Sequence, residues 1–230
     1  DMPFSLNEHI GSGKPWDFDR RDTTITMLQP HEKPDNKLAE YQGTADAIKQ
    51  KVEFIKRKNP KYVLILSGDH IYKMNYEAML DYHKEKEAAL TIAVLEVPWD
   101  EASRFGIMNT DSELKIVEFE EKPANPKSNL ASMGIYIFNW KMLKKYINES
   151  INAGKNMDDF GKNVIPEFLD ANERVYAYPF KGYWKDVGTV ESFCEANMDL
   201  LKDEPELDLY NPNWRVYSVN ATRPPHFVGS

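Results

Sequence analysis

Twice between residues 44 and 97 a stretch with helical hydrophobic period runs into an unbroken apolar segment, and this succession limits the chain to an α/β layer architecture. From Thr44 to about Lys58, Ala45, Ile48, Val52 and Ile55 recur at three- and four-residue steps among Lys and Glu, which predicts an amphipathic helix stopped by Asn59-Pro60. The run Tyr62-Val63-Leu64-Ile65-Leu66 then reads as a strand covered by helices on both faces. A second helix from about Tyr76 to Glu87 and a second apolar strand from Ala89 to Val97, closed by Pro98, complete the pattern. Strands joined through helices run parallel, so the expected fold is α/β with a mostly parallel mixed sheet and helices on both faces.

Beyond residue 98 the strands shorten. Expected strands at Gly106–Asn109, Leu114–Glu120, Ser132–Phe138 and Val175–Tyr178, with helices over Lys141–Ile151, Phe160–Leu169 and Val190–Leu201, suggest a small α+β sub-domain laid onto the first half. Residues 205–230 are rich in Pro and Asn and lack a helical period, so they read as a linker after a domain spanning residues 1–204. A chain of 230 residues with 41% apolar side chains can bury one large core. The net charge of -8 opposes a nucleic-acid footprint, so any phosphate ligand must be held by a few local cations. The single cysteine, Cys194, excludes an internal disulfide and, beside Phe193, reads as packing. With no signal-type start and no apolar run of about 20 residues, the chain is expected to be soluble and cytoplasmic.

Four segments carry candidate chemistry. Gly68-Asp69-His70 follows a buried strand, where open α/β sheets place ligands; Asp69 either holds a divalent cation against phosphate or accepts backbone hydrogen bonds in a turn. Trp184-Lys185-Asp186-Val187-Gly188-Thr189 is a second acidic turn; Asp186 either completes a two-carboxylate Mg²⁺ site with Asp69, or it or Thr189 caps the helix near Val190. In Glu120-Glu121-Lys122-Pro123, Pro123 is expected to hold Lys122 extended, with Lys122 pairing with a sugar phosphate and Glu121 with sugar hydroxyls. Strict alternation would send Glu121 and Lys122 to opposite faces, so this reading needs the strand to end near Glu121; the alternative is a charged strand edge. Tyr41-Gln42-Gly43-Thr44 opens the first helix, and Gly43-Thr44 offers either free N–H donors for an anion or nucleotide base, or a plain N-cap at Thr44.

The order of these segments is more specific than any one of them. Tyr41-x-Gly43-Thr44-Ala45-Asp46-Ala47, Gly68-Asp69-His70-Ile71-Tyr72, Phe105-Gly106, Phe119-x-Glu121-Lys122-Pro123, Ala131-Ser132-Met133-Gly134-Ile135-Tyr136, Asp159-Phe160-Gly161 and Trp184-x-Asp186-Val187-Gly188-Thr189 together resemble the bacterial ADP-glucose pyrophosphorylases (glucose-1-phosphate adenylyltransferases). Asn7-Glu8-His9-Ile10-Gly11 and Lys14-Pro15-Trp16-Asp17 resemble the same family's early segment. The resemblance implies a doubly wound, Rossmann-like nucleotidyltransferase fold and the conversion of ATP and glucose 1-phosphate to ADP-glucose and pyrophosphate in glycogen synthesis. It implies Mg²⁺ as cofactor, held by Asp69 and Asp186, and contacts to glucose 1-phosphate from Tyr41, Gly106, Glu121, Lys122 and Ser132, with Asp159, Phe160 and Trp184 nearby. Asp69, Lys122 and Asp186 become the expected catalytic group, and Gly43, Thr44 and Asp69 the expected nucleotide contacts. The expected partners are the two substrates and, for a full-length protein, three further copies or a related subunit, as a homotetramer or heteromer; neither nucleic acid nor membrane is expected.

The family's opening glycine-rich, Arg-containing loop, its Lys-Pro-Ala segment and its C-terminal left-handed β-helix have no counterpart in these 230 residues. Most of the ATP grip, an N-terminal strand and the regulatory surfaces are therefore expected outside them. Glu40 stands where the family often has an aromatic residue. The alternatives are a UTP- or dTTP-dependent glucose-1-phosphate nucleotidyltransferase and a non-catalytic regulatory subunit of the same fold; retention of Asp69, Lys122 and Asp186 speaks against the latter.

Overall fold

The structure, a computed structural model, describes residues 4–20, 23–28, 41–214 and 216–217. The chain clusters into two compact units, Asp1–Gln29 with Asp208–Ser230, and Pro30–Leu207. In the first, helix α1 (Phe4–Ile10) leads into a 3-10 turn at Lys14–Trp16. The Trp16 ring packs edge-on against His9 at 5.3 Å and Tyr217 at 5.9 Å. Neither α1 nor this turn was expected from periodicity, because both are shorter than the window over which a period becomes readable.

The second unit runs α2 (Thr44–Gln50), α3 (Val52–Lys58), β1 (Tyr62–Ile65), β2 (His70–Tyr72), α4 (Tyr76–Glu85), β3 (Leu90–Glu96), β4 (Gly106–Thr110), β5 (Ile116–Glu121) and β6 (Leu130–Asn139). It continues with α5 (Trp140–Asn152), a π-helical turn (Phe160–Val164), α6 (Ile165–Asp170), β7 (Val175–Pro179), β8 (Trp184–Asp186) and α7 (Val190–Asp199). The single helix expected over residues 44–58 is two, because Lys51 leaves helical geometry and its N–H closes back onto the Ile48 carbonyl at 3.0 Å.

Six strands form one sheet in the order β5-β4-β6-β3-β7, with β1 also paired to β6, while β2 and β8 form a separate two-stranded ladder. The α/β class holds, but the expected parallel majority does not: among the described ladders only β3–β7 is parallel. The cause is β6. Strands β1, β3 and β7 do share one direction, as helical crossovers require, but β6 lies between β1 and β3 and runs against both. Strands β4 and β5 extend the same sheet instead of founding a second one.

Helices cover both faces. Leu90, Ile92, Val94, Tyr136 and Phe138 point to the layer of α2, α3, α5 and α6, where Phe160 and Phe168 are fully buried. Ala93, Met133, Ile135 and Ile137 point the other way, onto Met79 of α4. This two-residue alternation with burial on both sides explains the unbroken apolar reading of β3. Strand β1 departs from it: Leu64 is 38% and Leu66 44% exposed, so the expected double coverage of residues 62–66 is not met. The β3–β6 ladder slips between Ile92 and Val94, and Gly134, at φ +68°, takes the left-handed conformation that this bulge requires.

The start of α2 is seated on a distant carbonyl. Asp158 O accepts from the Ala45 N–H at 2.8 Å and the Asp46 N–H at 3.0 Å, and a Cβ on Gly43 would stand 2.4 Å from that oxygen. Gly43→Ala should therefore cost about 1–3 kcal/mol, as overpacking against a backbone atom does. Urea denaturation should show a lower midpoint at unchanged slope, and an unchanged midpoint would mean that this approach is not made.

Candidate active site

Strand β1 delivers the turn Ser67-Gly68-Asp69, and the β2–β8 ladder sets His70 opposite Asp186 and Tyr72 opposite Trp184. The Val187 N–H donates to the Asp69 carbonyl at 3.0 Å, so two acidic turns far apart in sequence are locked side by side. The Gly188 N–H donates to Asp186 Oδ1 at 2.8 Å. A Cβ on Gly188 would stand 3.1 Å from Asp186 Oδ1 and 3.9 Å from Asp69 Oδ2, so both carboxylates face one space that the missing side chain keeps open. The Asp69 side chain is 59% exposed and reachable from solvent. Among the described residues no group of three or more His, Cys, Asp and Glu side chains forms a fuller cage. Two accessible carboxylates fit a hard cation that completes its shell with water and phosphate oxygens. Asp186 is not spent on capping α7; Thr189 does that, accepting from the Ser192 N–H at 3.2 Å in a capping box.

A second cluster forms at the end of β5. Gly106 pairs with Glu121, and a Cβ on Gly106 or Gly161 would stand 3.0 or 2.5 Å from Glu121 Oε2, so the carboxylate is threaded between two glycines. Asp159 lies alongside, accepting from the Lys162 N–H at 2.9 Å. Burial, and after it the charge of Asp159, pushes the Glu121 carboxyl above its usual range, while Lys122 and Lys162 pull it back. Tyr136 joins through its hydrogen bond with Ser132; burial raises its phenol to about 12. Glu121 is thus no edge charge, unlike Glu118 and Glu120, which pair with Lys127 at 2.6 and 3.3 Å.

Lys122 corrects the expectation drawn from Pro123. Its φ is +50°, a left-handed conformation instead of an extended one, and its N–H donates to Phe105 O at 3.1 Å. That turn ends β5 at Glu121 and breaks the alternation that would have put Glu121 and Lys122 on opposite faces. A lysine held at positive φ costs about 1–3 kcal/mol, a strain concentrated at functional positions.

Trp184 joins the two clusters. Its ring packs edge-on to His70 at 5.2 Å and to Phe105, next to Gly106, at 5.6 Å. From β6, a Cβ on Gly134 would stand 3.3 Å from His70 Cε1 and 3.7 Å from Ser67 Cβ, so the bulge that carries Ser132 abuts the acidic turn. A cavity of about 480 Å³ also shares Phe105, Trp184 and Asp186, but its other charged walls include Glu96, Glu101, Glu191, Glu195, Asp199 and Glu206 against Arg104 and Lys185. So acidic a lining repels a phosphate, and the cavity flanks the carboxylate cleft without being its anion seat.

Three expectations are corrected here. At the start of α2 the Ala45 and Asp46 N–H groups are not free for an anion, being taken by Asp158 O. Thr44 is no N-cap; Gly43 holds that place without a side-chain bond. The Phe160 ring lies in the core, 5.2 Å from Tyr136 and 5.6 Å from Phe138, leaving only its backbone to face a substrate. Tyr41 stands beside Asp46; burial and then the Asp46 charge push its phenol up. Sequence reasoning passed over Ser67, Asp158 and the lysine that fixes Asp158, Lys49, whose Nζ lies 2.6 Å from its Oδ1 and 3.0 Å from Asp46 Oδ1. No periodicity marks such residues: Asp158 matters through partners remote in sequence, and Ser67 through a single hydroxyl contact to Asp69.

The family model described as nucleotidyl transferase matches residues 1–203. The chain is 60% identical over 228 residues to a glucose-1-phosphate adenylyltransferase of Clostridium perfringens, and 57% identical over 227 residues to one of Geobacillus stearothermophilus. In both cases 99% of this chain is covered, and it spans 58% of the relative's length.

The raised carboxyl of Glu121 gives a test by sign. With the folded value above the unfolded one, its contribution to stability is present at acid pH and lost as pH rises through the folded value, so at neutral pH the ionised group opposes folding. Glu121→Gln should raise the thermal midpoint near neutral pH, with the gain shrinking as the medium is acidified into the carboxylate range. A midpoint lowered at neutral pH would show the carboxylate to be a stabilising ion-pair partner.

Proposed function

The chain belongs to the nucleotidyl transferase family, and from that premise we propose that the protein transfers the adenylyl group of ATP to α-D-glucose 1-phosphate, giving ADP-glucose and pyrophosphate for glycogen synthesis. The observation that carries this reading is the facing of Asp69 and Asp186 across Gly188, with the Glu121 cluster joined to them through Trp184. The names borne by the relatives favour an adenylyl over a uridylyl or thymidylyl donor.

In this reaction a phosphate oxygen of the sugar phosphate attacks the α-phosphorus in line, and pyrophosphate departs from the opposite side. No covalent intermediate with the protein is needed, so the chain's task is to align two anions and offset their repulsion. In this reading Asp69 and Asp186 hold Mg²⁺, which when bound screens the α-phosphate and the leaving group. Lys122 presents its ammonium to the incoming phosphate. Glu121 and Asp159 accept bonds from sugar hydroxyls, Ser132 donates one, Gly106 lets the sugar approach the backbone, and Trp184 offers a flat apolar wall. Tyr41, Gly43 and Thr44 line the nucleotide end, and Phe160 supports the pocket from the core. Residues 1–204 act as the catalytic domain and 205–230 as a linker, within a cytoplasmic homotetramer or a heteromer with a related subunit. Among the described residues no helix is long and apolar enough to cross a membrane.

The test is a comparison of pyrophosphate release from ATP, UTP and dTTP with glucose 1-phosphate by the full-length protein, in which ATP should be strongly preferred. Lys122→Ala should raise the KM for glucose 1-phosphate about tenfold or more, as loss of a charge-assisted bond does, with the KM for ATP little changed. Preference for UTP or dTTP would overturn the donor assignment, and equal rises in both KM values would remove Lys122 from the sugar phosphate.

A further inference from the structure

We propose that Ser67 and His70 are positioning residues that turn the Asp69 carboxylate so that Oδ2 faces Asp186, and thereby set the affinity of the pair for a divalent cation. This inference rests on the reading of Asp69 and Asp186 as cation ligands.

Ser67 Oγ donates to Asp69 Oδ1, and His70 Nε2 lies 3.5 Å from the same oxygen. Both groups therefore address one oxygen of the carboxylate, and the other is the one directed to the space beside Gly188, 3.9 Å from its missing Cβ. The imidazole is itself firmly seated. Its side chain is 11% exposed, with the Trp184 ring at 5.2 Å and a 79° interplanar angle on one side and the Gly134 bulge on the other. His70 Nδ1 is buried with no hydrogen-bond partner. A proton on Nδ1 would be an unsatisfied buried donor, so the proton belongs on Nε2, the nitrogen 3.5 Å from Asp69 Oδ1. The Asp69 side chain, by contrast, is 59% exposed. A buried ring and a strand-end hydroxyl thus orient an exposed carboxylate. Groups that hold a ligand in this way commonly change metal affinity by about 10–100-fold when removed.

The test is direct binding of Mn²⁺ to the full-length protein, followed by electron paramagnetic resonance with a non-reactive ATP analogue present, together with thermal midpoints. Ser67→Ala and His70→Phe should each weaken Mn²⁺ binding about tenfold. His70→Phe keeps the ring against Trp184, so its thermal midpoint should stay near that of the parent. His70→Gln, which restores an N–H donor on a side chain of similar reach, should recover most of the affinity. Unchanged Mn²⁺ affinity in both Ser67→Ala and His70→Phe would overturn the proposal, as would equal losses in His70→Phe and His70→Gln. Asp69→Asn separates the two levels. If it abolishes Mn²⁺ binding while the Ser67 and His70 variants do not weaken it, the positioning role falls and the ligand assignment stands; if it leaves binding intact, the ligand assignment itself falls.

Discussion

The β2–β8 ladder is the contact on which the rest of the site depends. Two strands of three residues have almost no stability as an isolated pair, so their register must be held from outside. Trp184 supplies part of that support through His70 and Phe105, and Tyr72 supplies more, packing on Phe180 and sharing a 2.8 Å hydrogen bond with the Tyr76 hydroxyl at the start of α4. With the register fixed, the Val187 N–H meets the Asp69 carbonyl, and the two acidic turns lie side by side. A register slip of one residue would turn Trp184 to the opposite face and part the acidic turns together.

Close backbone approach is the second recurrent device. Gly106 and Gly161 leave room for the Glu121 carboxylate, Gly188 leaves room between Asp69 and Asp186, and Gly43 lets the start of α2 rest on Asp158. At Gly43, Gly161 and Gly188 the atom nearest the absent Cβ is a polar oxygen, while at Gly106 the Phe119 ring shares the space with the carboxylate. A net charge of -8 opposes broad collection of anions, so in the proposed reaction local gaps around a few charges would do that work.

Long periodic segments were legible in the amino-acid sequence, and contacts between remote segments were not. The strands β3 and β6 and the helices α4, α5 and α7 follow from apolar runs and helical spacing within a few residues at either end. The direction of the sheet was misread because crossovers reveal that β1 and β3 run alike, yet nothing local reveals that β6 comes between them. The same limit applied to the site. Asp69, Asp186, Glu121 and Lys122 stand out as charged residues at strand ends, whereas Gly161 and Asp158 acquire their roles only from what folds against them. The positive φ of Lys122 also ran against the local rule for a residue before proline, the kind of conflict found where function constrains the backbone.

Whether the two acidic turns serve one cation is tested most directly by a double-mutant cycle on turnover in the full-length protein, comparing Asp69→Asn, Asp186→Asn and the combined variant. Ligands of a shared ion act as a unit, so the combined variant should be scarcely worse than the weaker single one. Losses that multiply in full would mean that the carboxylates act independently, and the shared cation site would have to be abandoned.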